Sequence, residues 1–173
     1  MRIPILAVAA CAALSSNAFS AEISVPMFKV TDAGIGESLG KIIIAETAKG
    51  VALQVDVTGL AAGQHGFHLH ENGSCEPAAK DGKPQAAIAA GPHYDPGHLG
   101  SHKGPAGTGH KGDLPALVAT DKGVKAVVNA DHLTLGDMRG RSLMIHQAGD
   151  NYTDTPENGG GGARVACGVI PEK

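Results

Sequence analysis

Tryptophan is missing from this chain of 173 residues, aromatic residues make up only 3 %, and methionine occurs four times. An interior rich in large rings is therefore excluded, and the core has to be built from aliphatic side chains. The scarcity of methionine also argues against a thioether site for Cu(I). Charge of one sign is not in large excess, the formal net charge being -3, so neither nucleic acid nor an anionic membrane surface suits as the main partner. A small anion could still be drawn in by a local positive patch. No apolar run approaches the roughly 20 residues of a membrane-spanning helix, so no transmembrane segment is expected. Glycine, by contrast, is abundant at 25 residues, which favours turns and loops over long helices. The length suits one domain with a proper core better than two.

The N-terminus has its own pattern. Arg2 precedes an apolar run from Ile3 to Leu14, then Ser15-Ser16-Asn17-Ala18-Phe19-Ser20-Ala21. Charged head, apolar middle and small-x-small end mark residues 1–20 as a secretory signal peptide cleaved after Ser20, leaving a single domain over 21–173. Cys11, preceded by Val8-Ala9-Ala10, offers a minor alternative of lipid anchoring, although so few residues leave little room for both a charged head and an apolar core. Of three cysteines, Cys75 and Cys167 would remain after cleavage. An even pair in an oxidising compartment reads as one disulfide, with free thiols or thiolate metal ligands as the alternative. Closing a loop of about 90 residues would contribute about 4 to 5 kcal/mol in the chain-entropy model.

Short alternating or apolar runs recur at Ile23 to Val30, Lys41 to Glu46, Val51 to Val57, Gly66 to His70, Leu117 to Ala119, Lys125 to Ala130, Ser142 to His146 and Arg164 to Ile170. Bounded by Gly, Asp or Asn, they predict an all-β, antiparallel sandwich or barrel of eight strands. Turns are expected at Glu46 to Gly50 and at Asp121-Lys122-Gly123. Two long segments interrupt the pattern. Glu71 to Pro115 is rich in Gly, Pro and His, and a loop of that length in a single domain is either disordered or functional. Gln147 to Gly162 ends in four glycines and could be a mobile lid or backbone packed against a site.

The chemistry concentrates in Gly66-Phe67-His68-Leu69-His70-Glu71-Asn72-Gly73-Ser74-Cys75. On a strand, His68 and His70 point to the same face, so two imidazoles can converge on one ion. Further histidines stand at His93 in Gly91-Pro92-His93-Tyr94, His102 in Ser101-His102-Lys103-Gly104, His110 beside Asp113 in His110-Lys111-Gly112-Asp113, and His146 in Leu143-Met144-Ile145-His146. Imidazole suits copper and zinc alike, and a carboxylate added to three histidines suits tetrahedral zinc. Seven ligands exceed one site.

With these motifs and Gly159-Gly160-Gly161-Gly162-Ala163-Arg164-Val165-Ala166-Cys167-Gly168, the chain resembles the copper,zinc superoxide dismutases, specifically their exported, periplasmic bacterial branch, over nearly all of 21–173. The resemblance implies an eight-stranded antiparallel Greek-key barrel with two long functional loops, one copper and one zinc per chain, and superoxide as substrate. It implies copper on His68, His70, His93 and His146, and zinc on His93, His102, His110 and Asp113, with His93 bridging the two metals. Asp150 would hydrogen-bond a histidine of each site, Arg164 would pair with the substrate anion, His93 would deliver a proton, and Cys75 would be joined to Cys167. The implied reaction alternately reduces and oxidises the copper.

Three histidines are left over. His65 is expected to make backbone hydrogen bonds, and His132 to be exposed. His98, four residues before His102, is a competitor for zinc that the context of His102 disfavours. The lid segment contains no lysine, so attraction of the anion would fall to Lys80 and Lys83, which are otherwise plain surface lysines. A non-catalytic metal carrier and a zinc hydrolase are the competing functions; the first would call for Met or Cys clusters and the second for an open zinc position. Monomer and homodimer both remain open.

Overall fold

Period-two alternation from Glu22 shapes the first strand: Ile23, Val25 and Met27 are buried, and the residues between them face outward. In the computed structural model, which describes residues 22–173, β1 (Glu22–Thr31) turns tightly into β2 (Gly34–Glu46), and β3 (Val51–Val57), β4 (Gly63–His65) and β5 (Phe67–His70) follow. The long loop carries a small hairpin, β6 (Ala78–Lys80) and β7 (Lys83–Gln85). Beyond it come β8 (Leu117–Ala119), β9 (Val124–Ala130), β10 (Ser142–His146) and β11 (Arg164–Val169). Among the described residues the single α-helix is one turn, α1 (Leu135–Met138). No described helix is long and apolar enough to cross a membrane. The expected leader and Cys11 lie outside the described residues.

Seven strands form one antiparallel sheet in the order β5-β10-β11-β1-β2-β3-β9. Strand β4 pairs with β8, only Gly66 separates β4 from β5, and β8 turns into β9 through the Thr120–Gly123 bridge. The β4–β8 pair thus joins the two ends of the sheet and closes an eight-stranded barrel, with β4 and β5 as halves of one strand. Neighbours out of chain order, β3 beside β9 and β5 beside β10, are the Greek-key crossings.

Each expected strand is present, with differences at the margins. β2 begins at Gly34 rather than Lys41, because a tight turn after Thr31 zips a glycine-containing stretch of low strand propensity onto β1. The β6–β7 hairpin is an addition to the expected strands; at its turn Asp81 and Gly82 both take positive φ, the geometry of a two-residue hairpin loop.

The decisive feature lies on β5 and β10, which are buried on both faces. Phe67, Leu69, Leu143 and Ile145 point into the main core. By alternation His68, His70, Ser142, Met144 and His146 point outward, where the barrel wall would ordinarily meet water, yet the long loops cover them. Met144 packs there in a second small core with Cys75, Cys167, Ala87 and Ala90, and Cys75 and Cys167 are joined as a disulfide. The free edge of β5 is paired by loop backbone: Tyr94 N–H donates to Leu69 O (2.9 Å), Leu69 N–H to Gly112 O (2.8 Å) and Leu114 N–H to Phe67 O (3.2 Å). A side chain at Gly112 would run into Leu69 O, so glycine is required for this close approach.

Candidate metal centre

His68 and His70 sit on one strand and His146 on its hydrogen-bonded neighbour, where register sets Met144 opposite His68 and Ser142 opposite His70. The loop brings His93 against His70. One ligand atom from each of His68, His70, His93 and His146 can be chosen so that all lie within 4.8 Å of one another. Hydrogen bonds decide which nitrogen of each ring is free. His70 Nδ1 donates to Gly91 O (2.9 Å), and His146 Nδ1 donates to Gly162 O (3.2 Å). His68 Nε2 donates to Asp150 Oδ2 (2.6 Å). A carbonyl or carboxylate can only accept, so each contact fixes the tautomer and leaves a lone pair on the other nitrogen. Those other nitrogens, His68 Nδ1, His70 Nε2 and His146 Nε2, together with His93 Nε2, are buried and have no hydrogen-bond partner. Enclosed nitrogens are not left this way without reason; four together are what a copper ion would satisfy.

The second cluster lies on the loop. Asp113 Oδ1 is 3.2 Å from His93 Nδ1, 2.9 Å from His102 Nδ1 and 3.6 Å from His110 Nδ1. Two ligands about 2.0 Å from a tetrahedral zinc stand about 3.3 Å apart, so these separations suit one zinc ion. Asp113 Oδ2 is engaged elsewhere, accepting from the backbone N–H groups of Lys103 (3.2 Å) and Gly104 (3.0 Å). Beyond this shared oxygen, Asp113 Oδ1, His102 Nδ1 and His110 Nδ1 are buried with no other partner. Ligand atoms of His68, His93, His102 and Asp113 also lie within 4.8 Å of one another, with His68 in place of His110. That proximity follows from the stacking of the His68 ring on His93, with centroids 3.9 Å apart. Since Asp150 occupies His68 Nε2, its single free nitrogen can serve only one ion, and His110 is the better fourth partner.

Asp150 ties the clusters together. It accepts from His68 Nε2 and from His102 Nε2, the latter at 2.8 Å, and Tyr152 N–H (2.7 Å) holds its Oδ1. Although burial opposes its charge, His102 and His68 keep the carboxyl well below the usual carboxylate range. Asp113 is depressed in the same way by His102 and His93. Gly159, at positive φ, lets the lid backbone lie on Asp150 and His102, where any side chain would collide. The glycine run is therefore backbone packed against the site.

The two clusters differ in protonation. Burial, followed by the neighbouring His93, pushes His68 and His70 well below 6.5 and His146 down to about 4. Burial also lowers His93, with Asp113 opposing. For His102 burial is outweighed by the two flanking carboxylates, Asp113 and Asp150, and its pKa rises to about 9.

Arg164, half-buried, closes the side of the cluster formed by His68, His70, His93 and His146. Its Nη1 donates to Ala87 O (2.6 Å) and its Nη2 to Gly91 O (2.7 Å). Burial lowers its pKa to about 10, which leaves it charged at neutral pH. Arg164, His146, Gly162 and Lys80 line a cleft of about 440 Å³. Lys80 lies 3.9 Å from Glu157 Oε1 across exposed surface; Lys83 is exposed and does not line the cleft.

Among the remaining histidines, His65 makes the expected backbone contacts, to His146 O (2.7 Å) and Ala61 O (2.8 Å). His98 is exposed and belongs to neither cluster. His132, expected on the surface, is half-buried with an enclosed Nε2, because the adjoining core residue Leu133 draws the turn inward. Sequence reasoning missed Asp154, whose Oδ1 accepts from His102 N–H (2.6 Å), and the carbonyl of Gly91, which holds both His70 and Arg164. A carbonyl has no residue-type signal, and Asp154 is one of several acids in a loop without periodicity.

The family model for copper/zinc superoxide dismutase matches residues 38–170. A superoxide dismutase [Cu-Zn] of Escherichia coli (strain K12) is 47 % identical over 160 residues, spanning 91 % of this chain and 92 % of that one. The solved Cu/Zn superoxide dismutase from Brucella abortus superposes with a TM-score of 0.84 at 50 % identity, covering 87 % of this chain and 99 % of the other. The solution structure of the monomeric copper, zinc superoxide dismutase from Salmonella enterica superposes with a TM-score of 0.78 at 48 % identity, covering 87 % and 99 %. Family model, sequence relatives and solved structures converge, and the chain belongs to the copper/zinc superoxide dismutases.

Proposed function

We propose that this chain performs its family's reaction, the dismutation of superoxide, with copper held by His68, His70, His93 and His146 and zinc by His93, His102, His110 and Asp113. One observation carries the reading: six imidazole nitrogens of the two clusters are buried and face one another, while the opposite nitrogens of His68, His70, His102 and His146 are held by hydrogen bonds to carboxylate or carbonyl oxygens. In the reaction two superoxide anions and two protons become dioxygen and hydrogen peroxide. Bound copper supplies the electron exchange, since zinc has no redox chemistry.

The chain's residues supply the rest. Arg164, fixed through both terminal nitrogens to carbonyls of the covering loop, presents a permanent charge and planar donors beside His146 to an incoming anion. His93 turns Nε2 toward His68, His70 and His146 and Nδ1 toward Asp113, so one ring would serve both metals. Its Nε2, which has no protein partner, would be placed to hold a proton and hand it to the product peroxide, while Nδ1, beside Asp113, would keep the ring in place. Asp150 orients His68 and His102 together. Lys80, on the cleft wall, adds long-range attraction for the anion.

The mature chain, 21–173, works in the periplasm after cleavage of the leader at Ser20. We assign it as a monomer, as the Salmonella relative is described; sedimentation of the mature protein tests this against a homodimer. The functional test is superoxide dismutation by copper- and zinc-loaded protein. Full metal occupancy without turnover would replace the enzyme with a metal-holding protein.

A further inference from the structure

Two residues that flank the zinc cluster converge on one distant carboxylate. Tyr94 directly follows the bridging His93, and Lys111 lies between His110 and Asp113. Tyr94 Oη–H donates to Asp137 Oδ1 at 3.2 Å, and Lys111 Nζ donates to the same oxygen at 2.7 Å. The two loop segments are also tied to each other, Gly112 N–H donating to Tyr94 O at 2.8 Å.

Asp137 is well placed to act as a fixed point. It belongs to α1, in the connection between β9 and β10, and its other oxygen closes the helix N-terminus. Oδ2 accepts from Thr134 N–H (2.8 Å) and Thr134 Oγ1 (2.7 Å), while Thr134 Oγ1 accepts from Asp137 N–H (3.2 Å). This is a reciprocal capping box that locks the carboxylate plane. Leu135 and Met138, on the same turn, are buried in the core, so the cap is anchored to the barrel. Arg141 completes the unit: its guanidinium lies 3.9 Å from the Tyr94 ring centroid, and its Nη1 donates to Asp137 O at 3.0 Å. With Tyr94 nearly enclosed, its hydroxyl has a defined partner rather than bulk water.

We propose that Asp137 is a positioning residue for the zinc cluster, acting through Tyr94 and Lys111 to hold both ligand-bearing segments of the loop on the barrel before the metal arrives. This rests on the assignment of His93, His102, His110 and Asp113 to zinc. Ligand sets held in place lose less freedom when they close on an ion, and contacts one shell out from a metal commonly change affinity by about 10- to 100-fold. Tyr94 and Lys111 act through the backbone of neighbouring residues, so an effect of about tenfold, at the low end of that range, is expected.

The test separates the zinc-facing oxygen from the helix cap. The double variant Tyr94→Phe, Lys111→Met removes both donors to Oδ1 and leaves the Thr134 cap untouched. Zinc affinity should fall about tenfold, and cobalt(II) placed in the zinc position should show altered visible bands, which report the symmetry of its ligands. Unfolding of the metal-free protein should shift little, and Lys111→Arg with Tyr94 retained should keep zinc affinity near wild type. Unchanged zinc affinity and cobalt bands in the double variant would overturn the proposal. So would a loss of zinc affinity fully matched by loss of metal-free stability, which would make the contacts mere scaffold. Wild-type protein that takes up no zinc would overturn the zinc assignment itself and this inference with it.

Discussion

The copper cluster and the zinc cluster share His93 and Asp150 but are built by different means. Three copper-facing histidines come from adjacent strands, and the β5–β10 ladder sets their spacing to within a register position. The zinc-facing residues, the shared His93 included, all come from a loop whose shape depends on contacts to β5, to the lid and to α1. The clusters also reach readiness differently: burial keeps the copper-facing imidazoles neutral, whereas two carboxylates hold a proton on His102. One site is therefore made by secondary structure and desolvation, the other by loop anchoring and charge.

The largest expected effect separates barrel from loop. Replacing Cys75 and Cys167 by serine opens a loop spanning 92 positions and should lower stability by about 4 kcal/mol in the chain-entropy model. The loop carbonyls of Ala87 and Gly91 that hold Arg164 should loosen as well. Denaturant unfolding checks the first effect and dismutation rate the second. A rate that survives while stability falls would show that the disulfide does not position the arginine.

Cutting the link between clusters comes next. Asp150→Ala should weaken both copper and zinc by about 10- to 100-fold, because His68 and His102 lose the same acceptor. Competition titration with a chelator reads this directly; an effect on one metal only would mean that the clusters are independent. A gentler probe is Arg164→Gln, expected to reduce kcat/KM by about tenfold and to weaken its dependence on ionic strength. Lys80→Gln should act in the same direction but by less, since Lys80 is exposed and screened.

In metal-free protein the two clusters should respond to pH with opposite sign. His146 falls to about 4 through burial and then His93, and His68 and His70 are lowered likewise from 6.5. The folded chain then binds fewer protons than the unfolded chain between about pH 4 and 6.5, and stability declines as pH drops through that window. His102, raised to about 9 by Asp113 and Asp150 against the opposing effect of burial, contributes stability that is complete below 6.5 and lost as pH rises through 9. Unfolding of metal-free wild type and His102→Gln across this range should show the alkaline decline only in wild type. An alkaline decline that persists in the variant would refute the role of His102.

How much could be read beforehand follows the same division. Strand alternation alone placed His68 and His70 on one face, and the turn residues around Asp121 marked the closing hairpin. Nothing in alternation says that this outward face is covered, because the cover is a loop whose path depends on glycine approaches such as Gly112 against Leu69. The zinc-facing residues stood out by type as metal-ligand candidates, but their sorting to one site, and the role of Asp150, were legible only through family resemblance, for loops have no period. Asp137 gave no signal of its role, because the reach of Oδ1 toward Tyr94 and Lys111 depends on the tertiary crossing.

The most direct measurement is metal content and dismutation in a matched pair of variants, His146→Ala and His110→Ala. The expected result is that His146→Ala keeps zinc but loses copper and falls below about 1 % of wild-type activity, a larger loss than outer contacts produce. His110→Ala should shed zinc first and retain copper with part of the activity. Full activity in His146→Ala, or loss of copper with zinc retained in His110→Ala, would contradict the division into a strand-built copper site and a loop-built zinc site.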